Sequence, residues 1–161
     1  MAYRVFGGSK EQPDPRTLAE LAHRFQLPVE GEFFGDDQGW TRLELQFGKA
    51  RFRVTVERYL AEEEGLKESF RTWAAWIESA NHDPANDWLM EHLINTQQLF
   101  TIETATEPAD ESLVHQICTE LACHLARATT GIYQEDDLGL LSADGKLLVR
   151  EEESGDDSGA A

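Results

Sequence analysis

Apolar and polar residues alternate along two neighbouring stretches of the chain, residues 41–47 (TRLELQF) and 51–59 (RFRVTVERY). This period of two is typical of β-strands with one buried face. Gly48 and Lys49 lie between the stretches and suit a two-residue hairpin loop. One face is then predicted to pack on helices and the other to meet solvent or a partner. The predicted pairs are Phe47 with Ala50, Leu45 with Phe52, Leu43 with Val54, Thr41 with Val56, Glu44 with Arg53 and Arg42 with Thr55.

Four other stretches carry apolar residues at the spacing of amphipathic helices. Asp14 and Pro15 are an N-cap followed by proline at the first helical position, and Asp83 and Pro84 repeat this signal. Pro28 is expected to end the first helix. The predicted helices cover residues 15–27, 66–80, about 84–97 and about 109–129.

The order of strands and helices predicts the fold class. Short apolar runs predict the remaining strands at residues 3–6, 32–34, 98–104, 131–134, 138–141 and 146–149. This mixed order with hairpins indicates an α+β protein rather than a doubly wound sheet. We expect a mostly antiparallel sheet of about five to seven strands, with about three to four helices packed on one face.

The length of the chain suits one domain, which we place at residues 1–150. Residues 151–161, EEESGDDSGAA, contain no apolar residue larger than alanine. Such a segment cannot bury enough apolar surface to offset the entropy of ordering. It is predicted to be a disordered acidic tail.

The stretch LLSADGKLLVRE before the tail admits two interpretations. With Gly145 at the glycine of a calcium-binding EF-hand loop, Glu151 would stand where that loop has its bidentate glutamate. The first ligand position would then be Leu140, which has no side-chain oxygen, and the flanks have the pattern of strands. A hairpin fits better, with Asp144-Gly145 as a type I′ turn and Leu140 facing Val149. We therefore expect two final strands and no calcium site.

The charge of the chain limits its partners. It carries 31 acidic and 14 basic residues, a net charge of −17, of which about −12 remains when the tail is set aside. Nucleic-acid binding needs clustered Lys and Arg, so this acidity predicts no nucleic-acid partner and favours a basic protein. The N-terminus lacks an apolar signal core, and no apolar run approaches the ~18 residues of a membrane span. We expect a cytoplasmic protein without a membrane partner.

Four possible metal ligands occur in one predicted helix: His115, Cys118, Cys123 and His124. At about 100° per residue these side chains diverge, whereas zinc needs ligands that converge. Core packing and surface positions explain them better. A nucleophilic Cys118–His115 pair also lacks an evident orienting group or oxyanion hole.

The remaining polar motifs give little support to catalysis. His82 lies in the turn NHDPAND, and His92 follows one helix later. Gly7-Gly8 precedes a helix but matches neither phosphate-binding glycine motif, so we expect no cofactor. An alternative function is a small hydrolase or metal-dependent enzyme that uses His82, His92 or His115.

Aromatic residues mark the most interpretable candidate surface. Periodicity places Trp40, Tyr59, Trp76 and Trp88 on or beside the non-core sides of their elements. Edge burial under loops explains such positions, but Trp and Tyr are also enriched in binding hot spots. The candidate binding residues are Trp40, Tyr59, Trp76, Trp88, Arg42 and Arg53.

The sequence favours a non-enzymatic protein-interaction module over the enzyme. Its expected role is regulatory or inhibitory toward a basic partner, as in an immunity protein or a chaperone, and self-association as a homodimer is the simplest version. A small-ligand sensor that uses the sheet face is a second alternative.

Overall fold

The computed structural model describes residues 2–25, 28–48, 52–80, 83–104 and 111–151. The strands are β1 (Ala2–Gly7), β2 (Val29–Asp36), β3 (Gly39–Phe47), β4 (Phe52–Leu60), β5 (Gln98–Thr104), β6 (Ile132–Glu135), β7 (Gly139–Leu141) and β8 (Leu147–Arg150). The helices are α1 (Pro15–His23), α2 (Leu66–Ser79), α3 (Trp88–Ile94) and α4 (Glu111–Ala128), with a 3-10 helix at Pro84–Asn86.

The described strands form one antiparallel sheet in the order β2-β3-β4-β5-β1-β6-β7-β8. The predicted α+β class is confirmed, although the sheet has eight strands rather than five to seven. No described helix is both long and apolar enough to cross a membrane. The predicted tail lies outside the described residues, apart from Glu151.

Helices cover both faces of the sheet, so the prediction that they pack on one face is wrong. In β1, Val5 belongs to a core shared with α1 and α4, whereas its neighbour Phe6 belongs to a second core shared with α2 and α3. Successive strand residues point to opposite faces. Because Val5 and Phe6 are both fully buried, the middle of the sheet needs a helical layer on each side. We call the exposed part of this second face, which carries Phe34, Arg42 and Arg53, the open face.

The β3–β4 hairpin forms, but its register is shifted by two residues from the prediction. Phe47 pairs with Phe52 rather than Ala50, and Leu45 pairs with Val54. The connection is therefore longer than the two residues expected, and of residues 48–51 only Gly48 is described. A shift of two leaves every side chain on its predicted face, which is why the alternation alone did not detect it.

The predicted N-caps at Asp14 and Asp83, each followed by proline, are confirmed. The Asp14 carboxylate accepts the N–H of Arg16 at 2.9 Å, and Asp83 accepts the N–H of Ala85 at 3.0 Å. The second cap opens only the 3-10 helix, and the following α-helix is shorter than predicted, starting at Trp88.

The predicted final hairpin is confirmed, with Leu140 opposite Val149. Its turn differs from the expected type I′, which needs positive φ at both central residues. Only Gly145 has positive φ here, at 85°, and its N–H donates to the Ser142 carbonyl. The Ser142 N–H donates to the Lys146 carbonyl, so the turn is a type I turn followed by a glycine bulge.

Thr130 lies two residues after the end of α4 in a strained conformation. Its φ is 53°, in the left-handed region that β-branched residues rarely adopt, and its side chain is exposed. We expect Thr130→Gly to raise the free energy of unfolding by about 0.5–1 kcal/mol because glycine carries no such penalty. Urea denaturation measures the change. The control Thr72→Gly, in the right-handed α2, should lower stability by about 0.5 kcal/mol, and equal signs would contradict the explanation.

Candidate functional site

Trp40 lies in the core rather than on the outer side expected from periodicity. It is buried against Phe100, with ring centroids 5.8 Å apart, and its indole N–H donates to the Pro13 carbonyl at 2.7 Å. The cause is a bulge in β3: Phe34 pairs with Arg42, but Gly35 pairs with Trp40, so Thr41 is an extra residue. One extra residue reverses the alternation, which turns Trp40 toward the helices.

A buried arginine, which sequence reasoning missed, lies beside Trp40. Arg58 continues the core-facing positions of β4, and its guanidinium donates to Gln98 Oε1 at 2.9 Å and to the Trp40 carbonyl at 3.1 Å. Burial lowers the pKa of Arg58, and the negative charges of Asp36 and Glu63 oppose that effect. The alternation of RFRVTVERY places residue 58 on the core face, and this pattern could have identified Arg58 as buried.

The Arg58 contacts fix the segment that joins β1 to α1. Gln98 donates its two amide hydrogens to the carbonyls of Ser9 and Glu11, at 2.8 and 2.7 Å. Together with the Trp40 bond to Pro13, these bonds give the segment side-chain partners at three carbonyls. We assign Arg58 and Gln98 a structural role because their hydrogen bonds run to the protein's own backbone.

Arg42, Arg53 and Tyr59 lie on the second face of the sheet, as predicted. Arg42 forms an ion pair with Glu44 at 2.7 Å and lies opposite Glu57 on β4. The Tyr59 hydroxyl donates to Glu57 at 3.1 Å, and burial together with Glu57 raises the pKa of Tyr59. These residues form the polar part of the open face.

Trp76 lies on α2 and packs against the second core. Its ring meets Trp73 edge-on with centroids 5.7 Å apart, and the Arg4 guanidinium lies 5.7 Å from the Trp73 ring. Arg4 also pairs with Asp136 at 3.1 Å. Trp76 is half-buried, so only part of its ring is available to a partner.

Trp88 is the most exposed of the four predicted aromatic residues, at 46%. Its ring lies edge-on to His92, and His92 Nε2 lies 3.1 Å from the Phe6 carbonyl. Both line a shallow cleft of about 400 Å³ with Arg127. Trp88 therefore lies apart from the open-face residues Arg42, Arg53 and Tyr59.

His115 pairs with a carboxylate that the sequence did not indicate. Its Nε2 lies 3.2 Å from both carboxylate oxygens of Glu135 on β6, which is itself largely buried. A cleft of about 340 Å³ beside it is lined by Arg24, Phe25 and Thr119. His92 lies with α3 on the other side of the sheet, and His82 lies outside the described residues. The structure therefore does not bring His92 and His115 together.

The cysteines occupy different environments. Cys118 is buried, and burial raises the pKa of its thiol to about 12, so it is uncharged at neutral pH. Cys123 is half-buried, and burial also raises its pKa. Neither environment favours a nucleophilic thiolate. Within the described ranges, no group of three or more His, Cys, Asp or Glu side chains is arranged to hold a metal ion.

The strand β2 exposes large apolar side chains at one edge of the sheet. Phe33 is 51% exposed and Phe34 is 44% exposed, although as neighbours in a strand they point to opposite faces of the sheet. Residues 28–41 around them contain four acids and no Lys or Arg. Sequence reasoning placed a strand here but not a site, because which strand lies at the edge depends on long-range pairing.

A cleft of about 420 Å³ adjoins β2 on the face that carries α1. Phe33 and Trp40 form apolar walls, and Asp14, Asp36 and Arg16 supply charged groups. Phe33 lies on the same face as the cleft and Phe34 on the opposite face, and we call β2 together with the cleft the β2 surface. A comparison of the chain with protein-family models, curated proteins and solved structures gave no match in any of the three.

Proposed function

We propose that this chain is a non-enzymatic protein-interaction module that binds a basic protein through the β2 surface. The observation that carries the proposal is the exposure of Phe33 and Phe34 within an acidic segment. Exposed apolar side chains rimmed by charge are typical of protein-binding sites. The acidic surroundings favour a partner of opposite charge and speed its encounter.

The other candidate functions have weaker support in the structure. The enzyme proposal rests on His115 and Glu135, beside a cleft whose described lining offers only Thr119 as a hydroxyl nucleophile. A sensor needs an enclosed pocket, whereas the clefts at the β2 surface, at His115 and at Trp88 are shallow and open. Binding roles for Tyr59, Trp76, Trp88, Arg42 and Arg53 stay predictions.

Affinity capture from the source cells, followed by binding measurements with each purified candidate, tests the proposal. We expect a basic partner whose binding weakens as salt rises, because screening reduces attraction between exposed charges. The double variant Phe33→Ser/Phe34→Ser should weaken binding at least about tenfold by calorimetry, since central aromatic contacts dominate such interfaces.

The matched control is Ile94→Ser, because Ile94 is also 51% exposed but belongs to α3. It should leave the affinity unchanged. A partner that is lost in Trp88→Ala and retained by the Phe33/Phe34 variant would place the interface on α3 and overturn the proposed surface.

A further inference from the structure

β2 is the last strand at one end of the sheet that the structure describes. It pairs with β3 on one side, and no other described strand pairs with it. Seven of its eight residues are exposed and Val29 is half-buried. An edge strand presents unpaired backbone N–H and C=O groups, and an extended peptide can add to such an edge.

The two faces of β2 have different chemistry. Glu30, Glu32 and Phe34 alternate on the open face, as the pairing of Phe34 with Arg42 shows, whereas Asp36 at the end of the strand lines the cleft. Val29, Gly31, Phe33 and Gly35 alternate on the face toward α1, where Gly31 lies opposite the core residue Leu45. A strand added to β2 would therefore meet acids on one face and small or apolar residues on the other.

We propose that β2 binds an extended segment of the basic partner as a ninth strand of the sheet, an inference that rests on the proposed function. Backbone hydrogen bonds hold the segment, and its side chains alternate to match β2. Lys or Arg at every second position lies beside Glu30 and Glu32 on the open face. Apolar side chains at the intervening positions pack on Phe33 and reach toward the cleft beside Trp40.

A second copy of the chain fits this edge less well than a basic segment. Antiparallel pairing of two β2 strands centred on Phe33 would place Glu30 opposite Asp36, and pairing centred on Glu32 would place Glu32 opposite its own copy. Like charges directly opposite each other destabilise paired strands. The acids thus oppose self-pairing while Phe33 and Phe34 supply apolar contact, and this combination favours a partner of opposite charge.

Synthetic peptides of alternating Lys and Val, as long as β2, test the proposal directly. We expect the alternating peptide to bind the full chain by calorimetry and to shift the β2 amide signals in NMR spectra. A peptide of equal composition with its lysines in one block should bind at least about tenfold more weakly, because it cannot match the two faces of β2.

N-methylation of the peptide tests whether backbone pairing is used. In a strand, the N–H groups of alternate residues point to opposite edges. Methylation of the lysine amides and of the valine amides should therefore differ: one set abolishes binding and the other leaves it within about twofold. Equal binding by both methylated peptides would overturn strand addition.

Charge reversal in the protein tests the side-chain match. Glu32→Lys should weaken binding of the alternating peptide at least about tenfold. The control Glu103→Lys makes the same change on an exposed residue of β5, three strands away in the sheet order. Strands are spaced about 4.8 Å apart, so this charge is farther from the peptide than the screening length of about 8–10 Å and should have little effect. Equal losses in both variants would overturn the match.

The outcomes separate the two proposals. If a basic partner binds and needs Phe33 and Phe34, but both methylated peptides bind equally, the proposed function stands and strand addition fails. If the chain instead forms a dimer in ultracentrifugation that Phe33→Ser dissociates, the occupant of β2 is a second copy, and the basic segment is overturned. If no basic protein binds, both proposals fail.

Discussion

Replacing Phe6 with alanine is expected to lower the free energy of unfolding by about 3–5 kcal/mol. Phe6 is 1% exposed in β1, at the centre of the core formed by α2 and α3. Its ring meets Phe70 and Trp73 edge-on, with centroids 6.2 and 5.8 Å away. Truncation removes these contacts and leaves a cavity between the sheet and α2, which the packed surroundings can fill only in part.

Urea denaturation followed by far-ultraviolet circular dichroism measures this loss. Phe34→Ala is the matched control, because it truncates the same side chain on the same face of the sheet at an exposed position. It should change stability by less than about 0.5 kcal/mol. A loss below about 1 kcal/mol for Phe6→Ala would mean that α2 and α3 do not pack on the sheet as a second layer, and the two-faced fold would be wrong.

The sequence predicted local structure where one signal dominated. Residues 98–104 were predicted as a strand and form β5 over the same range. The helix predicted at 66–80 is α2, Leu66–Ser79, because an apolar stripe at helical spacing fixes both type and extent. Asp14 and Pro15 fixed the start of α1 because each has a direct chemical role at a helix N-terminus.

Features that depend on distant pairing were not predictable from local patterns. The bulge at Thr41 reverses the alternation of β3, so periodicity placed Trp40 on the wrong side. The second helical layer was missed because Val5 and Phe6 in β1 do not alternate in polarity. Such runs indicate a strand buried on both faces, but they do not say which helices cover it.

At the candidate site too, local features were predictable from the sequence and features set by distant pairing were not. The sequence contained the acids around β2 and a strand at residues 32–34, but it gave no reason to expect Phe33 and Phe34 to be exposed. Their exposure follows from the strand order, since β1 inserts between β5 and β6 and leaves β2 at an edge. His115 was a predicted candidate, whereas its partner Glu135 lies 20 residues away and is brought close only by the packing of α4 on β6.

Arg58→Ala is expected to lower the free energy of unfolding by about 2–4 kcal/mol. The substitution leaves Gln98 Oε1 and the Trp40 carbonyl without their donors, and each unsatisfied buried acceptor costs about 1–3 kcal/mol. Loss of the packed aliphatic stem adds to this, whereas removal of a buried charge offsets part of it. The cost of leaving two neutral acceptors unsatisfied exceeds the gain from removing the charge, because hydrogen bonds already compensate the buried guanidinium.

Arg58→Met separates these contributions, because methionine fills a similar volume without charge or donors. We expect it to remain destabilised by about 1–3 kcal/mol in urea denaturation, less than alanine but well beyond the exposed control Arg53→Ala, which should change stability by less than about 0.5 kcal/mol. A neutral or stabilising Arg58→Met would show that the cost of burying the charge exceeds the value of its hydrogen bonds. In either Arg58 variant, faster amide exchange at residues 9–12 is expected, because Gln98 and Trp40 hold that segment beside the β2 surface.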